Sequence, residues 1–213
     1  MRGYRLSIIR HGSTESAKTG VYAGITDLPL SPDGRAELEK KRSEMVYPKV
    51  NKVYSSPLSR CIQSAEIIFP DRELMVVDEL REMNFGDFEG LKAEDLLELE
   101  SYKEWLKGGM DAAPPNGESI REMILRSYNA LQKIIFDMMK ENLTHCGVVT
   151  HSGIMMNMLS CFGLPKMKPM EFACPPGEGY EIIITAQLWQ MGGTFEILGR
   201  VPYEAGFEEN YDF

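Results

Sequence analysis

The stretch LSIIRHGSTES, residues 6–16, decides the fold. Leu6, Ile8 and Ile9 make a short apolar run suited to a buried strand, and Gly12 breaks it. The chain has only three histidines, and one of them follows an arginine directly at the end of this run. Arg10 and His11 are costly to bury, so their place at a strand end requires a chemical reason.

Outward from that strand, further strand-like runs fall at 52–55, 74–77, 146–150, 180–188 and 195–200, with the first at 4–9. Helical segments lie between the first four. SPDGRAELEKKRSEM (31–45) opens with Ser31 as N-cap and Pro32 at the first helical position. SPLSRCIQSAEIIF (56–69) repeats the signal with Ser56 and Pro57, and Ile62, Ala65, Ile68 and Phe69 follow at helical spacing. The longest periodic helix, at 118–142, has Ile120, Met123, Ile124, Tyr128, Leu131, Ile134, Ile135 and Met138 as its apolar stripe. SGIMMNMLSCFG (152–163) follows the strand at 146–150. Strands alternating with helices predict an α/β fold, a three-layer α/β/α sandwich on a mostly parallel central sheet. The region from about 80 to 117 does not fit a βα unit. It reads as an insertion whose part at 91–117 is a small helical lid on a single domain spanning 1–213, and such long connections are usually functional. The runs at 180–188 and 195–200 read as a hairpin around MGGT. At a sheet edge it would pair with a second copy to give a homodimer, and a covered edge is the equal alternative. The acidic, aromatic stretch YEAGFEENYDF (203–213) reads as a frayed tail or, as the alternative, a tail folding over a cleft.

Composition sets the class. With 213 residues, 43% hydrophobic and 26% charged, the chain has the balance of a soluble globular protein. Its net charge of -9 weighs against nucleic acid or an anionic membrane as partner. Cys61, Cys146, Cys161 and Cys174 form no CxxC pair and read as reduced thiols. No segment has the length of a membrane span or the pattern of a secretory signal, so the expected location is cytoplasmic.

Ligands of open parallel sheets bind beyond the carboxyl ends of the strands. Arg10 and His11 follow the first strand, Arg60 the second, Glu82 the third and His151 the strand at 146–150. Two histidines, two arginines and a carboxylate on one rim need a common partner. Arginine forks and helix N-termini suit a phosphoryl group. His145 precedes its strand, on the opposite edge, and reads as a surface residue. A zinc site built from the three histidines fails on that geometry, and no other metal-ligand spacing appears.

Six blocks in order carry a resemblance: RHGST (10–14), YAGITDLPLSPDG (22–34), SSPLSR with QSAEII (55–68), LREMNFGDFEG (80–90), PPNGES (114–119) and VVTHSG (148–153). They resemble the histidine phosphatase superfamily, also called phosphoglycerate mutase-like, over most of the chain. The resemblance implies His11 as a nucleophile that becomes phosphohistidine, Glu82 as proton donor to the leaving group, and a phosphate pocket of Arg10, Arg60 and His151, with Thr14 and Ser152 beside it. It implies no cofactor and no metal. One position departs from the family pattern, where many members have Asn and this chain has Ala17. Tyr22 and Trp105 are candidates for the substrate pocket. The lid segment 91–113 contains no arginine and is rich in Glu and Asp, which favours a phosphatase of a small phosphorylated metabolite over a mutase of a multiply charged one. The run Y-x-G…PLS…G and the YKEWL…PPNGES segment are similar to those of α-ribazole phosphatases. A phospho-ligand-binding regulatory module is the reading from another class, and His11 and Glu82, which a pure binder does not need, argue against it. The expected chemistry is attack by neutral His11, charge neutralisation by Arg10, Arg60 and a protonated His151, and acid then base duty for Glu82.

Overall fold

A computed structural model describes residues 3–190 and 192–206. In chain order its strands are β1 (Gly3–Arg10), β2 (Val53–Ser55), β3 (Leu74–Val76), β4 (His145–Thr150), β5 (Gly163–Leu164), β6 (Gly179–Thr185) and β7 (Phe195–Val201). The helices are α1 (Glu15–Thr19), α2 (Pro32–Glu44), α3 (Ser59–Ile68), α4 (Ala93–Leu96), α5 (Glu100–Lys107), α6 (Ile120–Lys140), α7 (Ser152–Phe162) and α8 (Ala186–Gln190). The strands form one seven-stranded mixed sheet in the order β3-β2-β4-β1-β6-β7-β5. β3, β2, β4 and β1 run parallel, while β6 is antiparallel to both β1 and β7. This is the expected α/β sandwich, with an antiparallel flank on one side.

Side-chain alternation along β1 shows how the layers form. Leu6 and Ile8 point to one face, where Ala130, Leu131, Ile134 and Met138 of α6 and Met155, Met158 and Leu159 of α7 cover them. Ile9 points to the other, against Leu38 of α2 and Cys61, Ala65 and Ile68 of α3. Burying one such aliphatic side chain contributes about 1.5–3 kcal/mol, so the two clusters fix the register of the central strands. α6 begins as a capping box: the Ser119 hydroxyl accepts from the Glu122 N–H at 3.2 Å, and the Ser119 N–H donates to the Glu122 carboxylate at 2.8 Å. Its seam also includes Ser127 and Ala130, while Ile120 and Tyr128 are only half-buried.

Two expectations change, and one alternative is decided. α3 starts at Ser59, with Leu58 as N-cap, rather than at Ser56. The Ser56 hydroxyl is engaged elsewhere, and the Asp27 carboxylate accepts from the Ser59 N–H at 2.6 Å instead. The run at 180–188 leaves the sheet at Thr185 and turns helical in α8. The edge beyond β7 is covered at Phe195 and Glu196 by β5, so the hairpin is not a bare edge there. Residues 207–213 of the acidic tail lie outside the described residues.

The region 78–117 holds α4, α5 and three short 3-10 turns. Phe88, Leu96 and Tyr102 form its own small core, flanked by Tyr22, Phe85 and Trp105. Among the described residues no helix is long and apolar enough to cross a membrane. All four cysteines are free, and Cys61, Cys146 and Cys174 are buried.

Candidate active site

β2, β4 and β1 lie side by side and parallel, with Arg10 opposite Thr150 and Ser55 opposite Val149. The residues that follow these strands, Ser56, His151 and His11, therefore emerge together on one rim. The His11 N–H donates to the Thr150 carbonyl at 2.9 Å and the Ser56 N–H to the Val149 carbonyl at 3.0 Å, which carries the sheet one residue further on both sides.

The His11 and His151 rings meet edge to face, with centroids 5.0 Å apart and planes at 65°. His11 Nδ1 lies 2.6 Å from the Gly12 carbonyl. A carbonyl only accepts, so Nδ1 carries the hydrogen and Nε2 presents its lone pair. Burial, Arg60 and Arg10 hold the His11 pKa down at about 3, against the opposing pull of the Gly12 bond. The ring is held neutral near pH 7, with its lone pair on Nε2.

Arg10 donates through Nη1 to the Cys174 carbonyl at 2.8 Å, and its Nε is buried without a hydrogen-bond partner. Arg60, in the first turn of α3, is itself buried. Its Nη1 donates to the Thr26 carbonyl at 2.8 Å, its Nη2 to the Gly24 carbonyl at 2.6 Å, and its Nε to His151 Nδ1 at 3.4 Å. His151 Nε2 then donates to the Ser56 hydroxyl at 2.8 Å. Burial, His11 and Arg60 push the His151 pKa well below 6.5, so it stands here as a neutral imidazole rather than the expected cation.

The Glu82 carboxylate accepts from the Met83 N–H at 3.0 Å and the Gly153 N–H at 3.1 Å. Burial raises its pKa, opposed by those two bonds and by Arg60 and Arg126. The pocket thus holds a neutral base, a carboxyl biased toward its protonated form, and two guanidinium groups.

The remaining candidates divide. Thr14 is buried beside His11, and its hydroxyl bonds the Ser16 hydroxyl at 2.9 Å. Ser152 opens α7 at the rim. Ala17 is exposed in α1. The Tyr22 hydroxyl bonds that of Tyr102 at 2.8 Å. Trp105 packs among Tyr22, Phe85, Phe88 and Tyr102 with centroids 5.7–6.1 Å apart, so its visible work is to anchor α5. His145 is a correction. It is buried, bonded through Nε2 to the Ser7 hydroxyl at 2.8 Å, and lies at the opposite end of β4 from His151. Among the described residues no group of three or more His, Cys, Asp or Glu side chains is placed to hold a metal ion.

Sequence reasoning missed several supporting groups. Ser64 accepts from the Gly12 N–H at 2.9 Å and donates to the Arg60 carbonyl at 2.6 Å, tying the His11 turn to α3. Ser56 orients His151, although its Ser-Pro context resembles a helix cap. Arg126 of α6 donates to the Glu79, Arg81 and Glu82 carbonyls at 2.7, 2.8 and 3.3 Å and so pins the segment carrying Glu82. Nothing local in the sequence marks that role.

Comparison with known proteins agrees with this geometry. The family model for the histidine phosphatase superfamily (branch 1) matches residues 6–194. An adenosylcobalamin/alpha-ribazole phosphatase of Escherichia coli is 28% identical over 178 residues, covering 81% of this chain and 86% of that protein. A sedoheptulose 1,7-bisphosphatase of Saccharomyces cerevisiae is 29% identical over 154 residues, covering 61% of this chain and only 55% of its own length. The crystal structure of the alpha-ribazole phosphatase from Shigella flexneri superposes with a TM-score of 0.79 at 22% identity, over 96% of this chain and 99% of that one.

Proposed function

The chain belongs to the histidine phosphatase superfamily and is a phosphoric monoester hydrolase, and we propose that it hydrolyses a small phosphorylated metabolite, without a metal, through a phosphohistidine on His11. The observation that carries this reading is the bond from His11 Nδ1 to the Gly12 carbonyl, which leaves Nε2 unprotonated in the field of Arg10 and Arg60.

In the first step His11 Nε2 bonds phosphorus and the P–O ester bond breaks. Glu82, its pKa raised by burial, gives its proton to the departing alkoxide. In the second step water attacks the phosphohistidine and the ionised Glu82 takes the water's proton. The P–N bond breaks, inorganic phosphate leaves, and His11 returns to its neutral form. Arg10 and Arg60 neutralise the equatorial oxygens throughout. His151, neutral in this structure, orients Arg60 through Nδ1 and adds its dipole to the pocket. Thr14 and Ser152 flank the phosphate, Tyr22 borders the leaving group, and 91–117 acts as the lid. The acidic lid side chains Glu94, Asp95, Glu98, Glu100, Glu104 and Asp111 are all exposed, which supports a phosphatase over a mutase holding a second anionic group. Similarity to alpha-ribazole phosphatases supports an α-ribazole phosphate substrate.

The test is phosphate release from a metabolite phosphate panel in the presence of chelator, by wild type and by His11→Ala. Release by wild type that vanishes in His11→Ala is expected. Release that persists in His11→Ala, or that requires added metal, rejects the mechanism. Turnover of α-ribazole phosphate no faster than that of simple sugar phosphates rejects the narrower substrate.

A further inference from the structure

Arg60 is gripped by backbone. Its guanidinium donates to the carbonyls of Thr26, Gly24 and Ala23, the last at 3.4 Å. The position of the fork is therefore no better defined than the position of the peptide groups at 23–26, a stretch without helix or strand. Two of them, 23–24 and 24–25, are fixed from their other side by one carboxylate, which also holds the Thr26 N–H. Glu89 accepts from the Gly24 N–H at 3.1 and 3.0 Å, the Ile25 N–H at 3.0 Å, the Thr26 N–H at 3.3 Å, the Phe85 N–H at 3.1 Å and the Thr26 hydroxyl.

Two carboxylate oxygens offer about four lone-pair sites, and here they meet four backbone donors and a hydroxyl. The loop is thus clasped between an anion on its N–H side and a cation on its C=O side. That arrangement polarises the 23–24 and 24–25 peptide groups in one direction and strengthens both sets of bonds. The fit is close as well. A Cβ on Gly24 would lie 1.8 Å from the Met83 carbonyl oxygen, so only glycine allows the loop to reach the carboxylate.

We propose that Glu89 is a positioning residue for phosphate binding: it touches no substrate, but through the 24–26 loop it sets the direction of the Arg60 fork. The inference rests on the reading of Arg60 as a phosphate ligand. It goes beyond that reading by tying phosphate affinity to a side chain 29 positions away in sequence.

Glu89→Gln tests it. The amide keeps the volume but turns one acceptor into a donor facing backbone N–H groups. The inhibition constant for inorganic phosphate and the KM should both rise by about tenfold or more. Glu82 keeps its own bonds to Met83 and Gly153, so the loss should appear in phosphate inhibition and KM more than in kcat. Thr26→Val removes one hydroxyl donor and keeps the carbonyl that holds Arg60, so it should move phosphate inhibition in the same direction by a smaller factor. It carries the test if Glu89→Gln does not fold. A phosphate inhibition constant within twofold of wild type in the folded variants, with or without a loss of thermal stability, overturns the proposal. A wild type that neither turns over nor is inhibited by phosphate overturns the phosphatase reading itself, and this inference with it.

Discussion

Gly153→Ala separates what the site costs from what the fold costs. Gly153 lies in the first turn of α7, and its N–H donates to Glu82 Oε2 at 3.1 Å. A Cβ there would stand 2.6 Å from Glu82 Oε1 and 3.2 Å from its Cδ. The first contact is about 0.8 Å short of ordinary van der Waals separation, which exceeds the ~0.5 Å tolerance of a catalytic constellation. The obstructed atom is the end of a flexible side chain, so the fold absorbs the methyl group by moving the carboxyl. Alanine is also favoured over glycine in a helix by roughly 1 kcal/mol, and the melting temperature should hold or rise. Activity should fall all the same. A misplaced general acid costs on the order of 100-fold in kcat when the leaving group needs a proton. An aryl phosphate, whose phenolate leaves unaided, should lose much less in the first step. The assay is kcat for an alkyl and an aryl phosphate side by side, with melting curves for both proteins. An alkyl-ester kcat within about threefold of wild type, in a folded variant, would refute the assignment of Glu82 as the acid.

Other outcomes follow from the same contacts. With the Glu82 pKa raised by burial, kcat should decline as pH rises through that ionisation, giving an optimum on the acidic side of neutral; activity still climbing at pH 9 removes Glu82 from the first step. The folded chain holds His11 at about 3 and His145 at about 4, while the unfolded chain protonates them near 6.5. The unfolded state thus binds more protons in that window, and stability should fall as pH drops from about 6.5 toward 4; a denaturant midpoint equal at pH 7 and pH 5 contradicts this. Lys52 is buried and sits 3.0 Å from both Asp137 and Glu141 and 3.4 Å from Glu73. Lys52→Met should cost about 1–3 kcal/mol by chemical denaturation and leave phosphate release per folded molecule unchanged, since Lys52 precedes β2 at the end of the sheet away from His11.

Much of the site was legible because its chemistry sits at strand ends, where a short apolar run stops at a charged residue. Arg10, His11 and His151 sit directly at strand ends, while Arg60 and Glu82 lie a few residues beyond β2 and β3 on the same rim. What escaped notice was support supplied from afar. Ser64 and Arg126 act on main-chain atoms, and Glu89 bonds residues 63–65 positions earlier, so no local pattern marks them. Ser56 was misread because a Ser-Pro pair before an apolar periodicity is a sound helix-start signal, and only the tertiary fold shows its hydroxyl taken by His151. His145 looked exposed because histidine before a strand usually is, and a buried Ser7 hydroxyl reverses that. The strand at 180–188 ran too far because Ala186–Gln190 is too short a helix to show its own period.

The order of the strands has a consequence for synthesis on the ribosome. β1 and β2 do not touch in the sheet: β4 lies between them and pairs with both. A nascent chain that has reached residue 140 carries α6 and both early strands but lacks the strand that pairs with both. Until residues 145–150 have emerged, the half of the pocket that brings Arg10 and His11 is tied to the half that brings Arg60 only through side-chain contacts such as Ser64 with Gly12, not through the sheet. Folding must then wait for more than two-thirds of the chain, and the apolar faces of β1 and α6 are open to aggregation during that time. Demand for chaperone protection should therefore be greatest for nascent chains that end just short of His145, and should fall once Thr150 is free of the exit tunnel.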